Sequence, residues 1–93
     1  MPVTRRTFSR YRIVRRLNFS RVASTSLRRT ARLNTHRFHG YPPGTVICHG
    51  MSGHLFLWGL FWLTREEFEY RADGWQLLAP DGGRFTVYDT ADF

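Results

Sequence analysis

Arginine interleaved with aromatic residues is the first chemistry this sequence offers. Arg5, Arg6, Phe8, Arg10, Tyr11, Arg12, Arg15, Arg16, Phe19 and Arg21 succeed one another near the amino terminus, and Arg28, Arg29 and Arg32 extend the series. A guanidinium is a planar, permanently charged fork of donors that matches phosphate or carboxylate. Bound to phosphates it releases counterions, while Tyr and Phe faces can stack exposed bases. Arg5, Arg6, Arg10, Arg12, Arg15, Arg16, Arg21, Arg28, Arg29 and Arg32 are therefore the candidate contacts to nucleic acid or to an acidic partner.

The distribution of charge sharpens that reading. Residues 1–50 carry eleven Arg and no carboxylate, +11; residues 51–93 carry three Arg and seven Asp or Glu, −4; together they give the net +7. All fourteen basic residues are arginine. A GC-rich genome would explain arginine in place of lysine, but not the segregation of the acids. Solvated faces mix both signs, whereas such asymmetry marks an arm for nucleic acid or a membrane surface. Of the two, phosphate and stacking chemistry favours nucleic acid, DNA or RNA, and no membrane partner is expected. A mitochondrial transit peptide shares this Arg- and Ser-rich, acid-poor composition.

A second group is compact in sequence. All four histidines and the one cysteine fall within residues 36–54. His36, His39, Cys48 and His54 would supply four zinc ligands, but their spacing matches no common zinc pattern. Cys48 and His49, adjacent on a strand, would also face opposite sides. Loop histidines and a buried thiol account for the same residues, so neither metal nor other cofactor is expected. His49 or His54 with Glu66 or Glu67 could form an acid–base pair for RNA cleavage, with an arginine on the phosphate. No signature spacing supports it, and there is no P-loop, dinucleotide glycine fingerprint or nucleophile elbow. The expected function is binding without catalysis. The chain reads as a small basic nucleic-acid-binding protein, or a subunit of a nucleic-acid-handling complex. The alternative is a small inhibitor of the phage or plasmid type that grips an acidic host protein or nucleoprotein complex. A small RNase ranks third.

These residues need elements to hold them. Ninety-three residues make one domain, a basic half over 1–40 and a β-rich aromatic core over 41–93. Eight Phe, four Tyr and three Trp can fill a core without staples, each burying on the order of 150–250 Å². A single cysteine forbids an intrachain disulfide and suits a reducing cytoplasm, and no apolar run of a secretory signal follows the basic start. Residues 1–9 read as an extended lead-in. Residues 10–20 alternate as a strand, with Tyr11, Ile13, Leu17 and Phe19 inward and Arg10, Arg12 and Arg16 outward. Ser24-Thr25-Ser26 offers a cap for a short basic helix over Leu27–Leu33 that ends near Asn34. Tyr41-Pro42-Pro43-Gly44 breaks the chain, Thr45–His49 makes a short strand, and residues 50–53 make a turn.

His54–Leu63 is apolar on both alternating sets, and at roughly 10 residues it is too short to span a bilayer as a helix. It reads as the central strand, with Gly59 at a bend, a bulge or a close backbone approach. On that reading Trp58→Ala costs about 3–5 kcal/mol. Residues 66–72 then form a hairpin with Trp75–Ala79 about Asp73-Gly74, in preference to a capped helical turn starting at Thr64. Arg84–Asp89, with Phe85 and Val87 inward, closes a meander. The expected fold is α+β: a mainly antiparallel twisted sheet or small half-open barrel with one short basic helix.

Overall fold

The computed structural model describes residues 5–86 and 88–93, with the backbone alone at Leu77, Leu78, Arg84 and Thr86. Three strands of 11 residues form its frame: β1 (Arg5–Arg15), β3 (Val46–Phe56) and β4 (Phe61–Arg71). β4 is central. It pairs antiparallel with β1 from Arg5 opposite Arg71 to Arg15 opposite Phe61, and with β3 from Val46 opposite Tyr70 to Phe56 opposite Phe61. β2 (Leu33–Asn34) and β7 (Thr90–Ala91) complete a mixed sheet in the order β1-β4-β3-β2-β7, with β2 and β7 parallel. β5 (Gln76–Leu78) and β6 (Arg84–Thr86) form a separate ribbon. A 3-10 turn at Arg16–Asn18 leads into the helix α1 (Phe19–Arg29). The class is α+β as expected, and the sheet stays open instead of closing into a barrel.

Register decides which side chains share a face, since opposed residues in an antiparallel pair point the same way. One face presents Phe8, Arg10, Arg12 and Val14 of β1 beside Phe68, Glu66, Thr64 and Trp62 of β4. Phe38, Val46, Cys48, Phe68 and Phe93 form a core at its proximal end. Phe19 of α1 stacks on Trp62 at 3.9 Å toward its distal end. The opposite face has a smaller core of Leu33, Ile47 and Trp75, with the Trp75 indole donating to the Thr45 carbonyl at 3.0 Å. Beyond that core this face lies open, and Tyr11 and Ile13 are exposed. Asn34 ties the Pro42 loop to the sheet. Its amide donates to the His36 and Pro42 carbonyls and accepts from the Val46 N–H.

Several sequence expectations change. Residues 54–63 are not one buried strand: β3 and β4 meet there in a hairpin whose loop is Leu57–Leu60. Trp58 is 96% exposed at its tip. The Leu60 N–H donates to the Leu57 carbonyl at 3.2 Å, and φ is positive at Leu57 (50°), Trp58 (54°) and Gly59 (80°). Positive φ at both central residues is the tight-turn geometry that suits the right-handed twist of paired strands. Both faces read as apolar because the stretch joins the ends of two strands around this turn.

The first strand spans 5–15, not 10–20, and its inward set is Phe8, Arg10, Arg12 and Val14. Leu17, expected in the core, is 94% exposed. The helix starts eight residues earlier than expected and ends before Ala31, whose φ is +60°. Residues 50–53 continue β3 past a bulge, where the register shifts between Cys48 and Gly50. Asp73-Gly74 turns the chain, but β5 pairs with β6, not with β4. Phe85 is exposed, and Val87 lies outside the described residues.

The turn geometry reverses the expected sign for Trp58. An L-residue in the left-handed region costs roughly 1–2 kcal/mol, and Asn tolerates it best after Gly. Trp58→Asn is therefore expected to stabilise by roughly 1 kcal/mol, while Phe68→Ala, at the buried centre of β4, costs about 3–5 kcal/mol. Chemical denaturation checks both. A marked loss on Trp58→Asn would mean that the indole packs after all.

Candidate nucleic-acid interface

The arginines divide by what they touch. Glu66 of β4, only 3% exposed, sits on the helix-side face and accepts from Arg10 Nη2 at 2.7 Å. Arg29 of α1 reaches its other oxygen at 3.8 Å. The Arg10 guanidinium also lies 5.7 Å from the Phe38 and Phe68 ring centres. On the opposite face Glu69, 4% exposed, meets Arg5 at 2.8 Å, His49 at 3.0 Å and Arg71 at 3.0 Å. Arg5, Arg10 and Arg29 thus answer carboxylates of the second half of the chain. Arg6 donates to the Tyr41 hydroxyl at 3.3 Å. Among the described residues, Arg12, Arg15, Arg16, Arg21, Arg28 and Arg32 meet no carboxylate.

Four of these six, with Arg29, line two adjoining grooves on the helix side. Arg12, Arg21, Thr25, Ser26, Arg29 and Glu66 bound one of about 170 Å³; Thr25, Arg28, Arg29, Arg32 and Asp92 bound the other, about 360 Å³. Local periodicity builds the line. Arg21, Thr25 and Arg28 stand four and then three residues apart on α1, hence on one stripe. Thr25 secures it by donating to the Arg21 carbonyl at 3.0 Å and accepting from Arg28 at 3.4 Å. Arg12 enters from β1, and Arg32 from the turn that the Ala31 backbone makes by donating to the Cys48 carbonyl. Asp92 is occupied by His36 at 2.7 Å. At the floor, Ser26 Oγ, Arg29 Nε, Arg10 Nε and Glu66 Oε2 are buried and make no hydrogen bond within the protein. The groove is cationic at its rim and polar at its base.

Of the predicted contacts, the structure gathers Arg12, Arg21, Arg28, Arg29 and Arg32 here. Arg15 and Arg16 stand apart at the distal end, beside an apolar cleft. The outward row Arg10, Arg12 and Arg16 does not exist: Arg10 is committed to Glu66, and Arg16 lies beyond the strand. Sequence reasoning gave Thr25 and Ser26 a capping role and Glu66 an acid–base role, and missed that all three line this groove. The spacing of Arg21, Thr25 and Arg28 was the signal, hidden by starting the helix at Leu27.

The histidines disperse. His36 pairs with Asp92, His39 packs against the Phe8 and Phe38 rings, and His54 is exposed on β3 opposite Leu63. Cys48 is fully buried, and burial pushes its thiol above the usual value. No group of three or more metal-ligating side chains occurs among the described residues. The acid–base partners envisaged for RNA cleavage also differ. His49 binds Glu69, not Glu66 or Glu67; it lies two residues along β3 from Ile47, which stands opposite Glu69. Burial alone would raise Glu69. Hydrogen bonds from His49 and Arg71 and the charges of Arg5 and Arg71 outweigh it and hold the carboxyl below its usual range. A carboxylate so held is a poor proton acceptor near neutral pH.

Comparison with family models, characterised proteins and solved structures yields no match.

The depressed Glu69 value fixes a pH dependence. Its contribution to stability is complete above the unfolded pKa, about 4.3, and is lost as pH falls through the lower folded value. Glu69→Gln is expected to cost about 1–3 kcal/mol near pH 7, with the gap to the parent closing on acidification below about 4.3. Urea denaturation across that range checks it. A gap that stays constant would mean that the charge contributes nothing.

Proposed function

We propose that this protein binds nucleic acid through the arginine groove beside α1, with the guanidinium groups on phosphates. The observation that carries the reading is the convergence of Arg12, Arg21, Arg28, Arg29 and Arg32 from β1, α1 and the following turn on one cleft. Four of them have no carboxylate partner among the described residues. Fork-shaped donors in a row, spaced along a helix, suit a backbone of repeating phosphates. With the guanidinium groups on phosphates, which carry no sequence information, the binding is weakly dependent on sequence. An acidic surface of a host protein or nucleoprotein complex would present the same charge, and the test below separates it.

Replacing Arg21, Arg28 and Arg32 together by Gln is expected to weaken binding to duplex DNA, single-stranded DNA and RNA alike. The slope of log K against log[salt] should flatten by ~2–3 units, three contacts' worth. Melting temperature should barely change, since the three are exposed and meet no carboxylate among the described residues. Arg10→Gln should instead destabilise the fold by about 3–5 kcal/mol, by leaving Glu66 poorly matched. An unchanged salt slope in the triple variant would refute the groove as a phosphate site. Only feeble binding by the parent at physiological salt would transfer the groove to an acidic protein.

A further inference from the structure

The molecule measures 56 × 29 × 20 Å. At the β3–β4 hairpin, Leu57, Trp58 and Leu60 are exposed, and Leu17 joins them from the 3-10 turn after β1. The Arg16 N–H holds that turn against the hairpin by donating to the Leu60 carbonyl at 3.1 Å. Arg15, Arg16, Leu17, Leu60 and Phe61 line an almost wholly apolar cleft of about 370 Å³ between the two segments. Among the described residues, no carboxylate belongs to this end. The first along β4 is Glu66, five residues from Phe61, or roughly 17 Å at strand rise.

We propose that this end inserts into the surface of an anionic lipid bilayer, apolar tip first, with Arg15 and Arg16 on headgroup phosphates. The charge is complementary: a cationic collar behind an apolar tip, with no acid to oppose the lipid. Anionic leaflets attract such arginines with about 1 kcal/mol each near the surface, and Trp is at home at the boundary of headgroup and acyl chain. Three leucines surround Trp58 at the tip and offer no flat face to stack; only the indole does, and that apolar majority favours lipid over bases. Its shape favours lipid over a flat protein. The tip is a hairpin end with a leucine from a second segment beside it, and a fluid surrounds such an end on all sides. The arrangement makes a surface attachment, not a span, and no helix among the described residues is long and apolar enough to cross a membrane. The proposal stands independently of the groove beside α1.

Vesicle sedimentation with the full chain tests it, using phosphatidylcholine alone and phosphatidylcholine with about one third phosphatidylglycerol. The parent is expected to co-sediment with the anionic vesicles, with a blue shift in tryptophan emission. Trp58→Ser with Leu60→Ser is expected to reduce partitioning by roughly tenfold or more and to abolish the shift, with an unchanged melting temperature. Arg21, Arg28 and Arg32 replaced by Gln should retain the shift. Absence of co-sedimentation at low salt would overturn the proposal. So would equal partitioning of the double Ser variant, which would reduce the effect to general charge. A parent that self-associates and separates on the Ser substitutions would assign the tip to a second copy. Loss of nucleic-acid affinity in that variant, without vesicle binding by the parent, would make the tip a base wedge. Either result overturns the lipid assignment.

Discussion

The central strand carries a buried carboxylate on each face, and the fold depends on both being met by cations from elsewhere. Glu66 faces the helix and is met by Arg10 and Arg29; Glu69 faces the opposite side and is met by Arg5, His49 and Arg71. A carboxylate taken from water with one partner missing costs several kcal/mol. β4 is therefore stable at the centre of the sheet only when β1 lies beside it in this register and α1 lies above it. A slip of one residue would turn Arg10 away from Glu66 and place Phe8 on the wrong face. The separation of charge along the chain thus has a structural component: part of the acid-free half exists to meet the acids of the other half.

That constraint also sorts the arginines. Burial and matching occupy Arg5, Arg10 and Arg29, so their presence says little about a partner. Arg12, Arg21, Arg28 and Arg32 fulfil no such need, and their convergence on one cleft is the feature that packing leaves unexplained. A count of positive charge cannot draw this distinction, because an arginine that satisfies a carboxylate and one that awaits a phosphate look identical in sequence. The pairing emerges only from the register that sets Arg10 opposite Glu66.

What could be read from the sequence followed local chemistry. The α+β class, the breaks at Pro42-Pro43-Gly44 and Asp73-Gly74, and the alternation of residues 66–72 stand, the last as strand to Arg71; the extended lead-in read over residues 1–9 is strand from Arg5. The errors came from patterns with two physical solutions. Tyr11 and Ile13 alternate with arginines, so an inward apolar set was the natural reading. Yet the buried face belongs to Phe8 and Val14, with Arg10 drawn in by Glu66. Residues 16–20 also alternate, but Phe19 can reach Trp62 only from a helix above the sheet. His54–Leu63 misled most. A run apolar on both faces is explained by burial on two sides or by two strand ends around a tip, and periodicity cannot tell these apart. Gly59 hinted at the tip, since a tight hairpin needs φ > 0 at its second central residue.

The tip carries a local conflict with physical meaning. Asn-Gly would make the same turn with less backbone strain than Trp58-Gly59, and polar residues would cost nothing where Leu57, Trp58 and Leu60 face solvent. The chain instead holds Leu57 and Trp58 in the left-handed region and leaves large apolar side chains uncovered. Places where local preference and the folded state disagree concentrate at functional sites, because contact with a partner compensates for what folding alone would reject. The core does not need these side chains: Phe68, Val46 and Cys48 fill it at the other end of the sheet. Strain, exposure and the absence of acid therefore coincide at one extremity, while the unmatched arginines collect along α1. One three-stranded frame supports both, with each surface built from residues that the frame itself does not require.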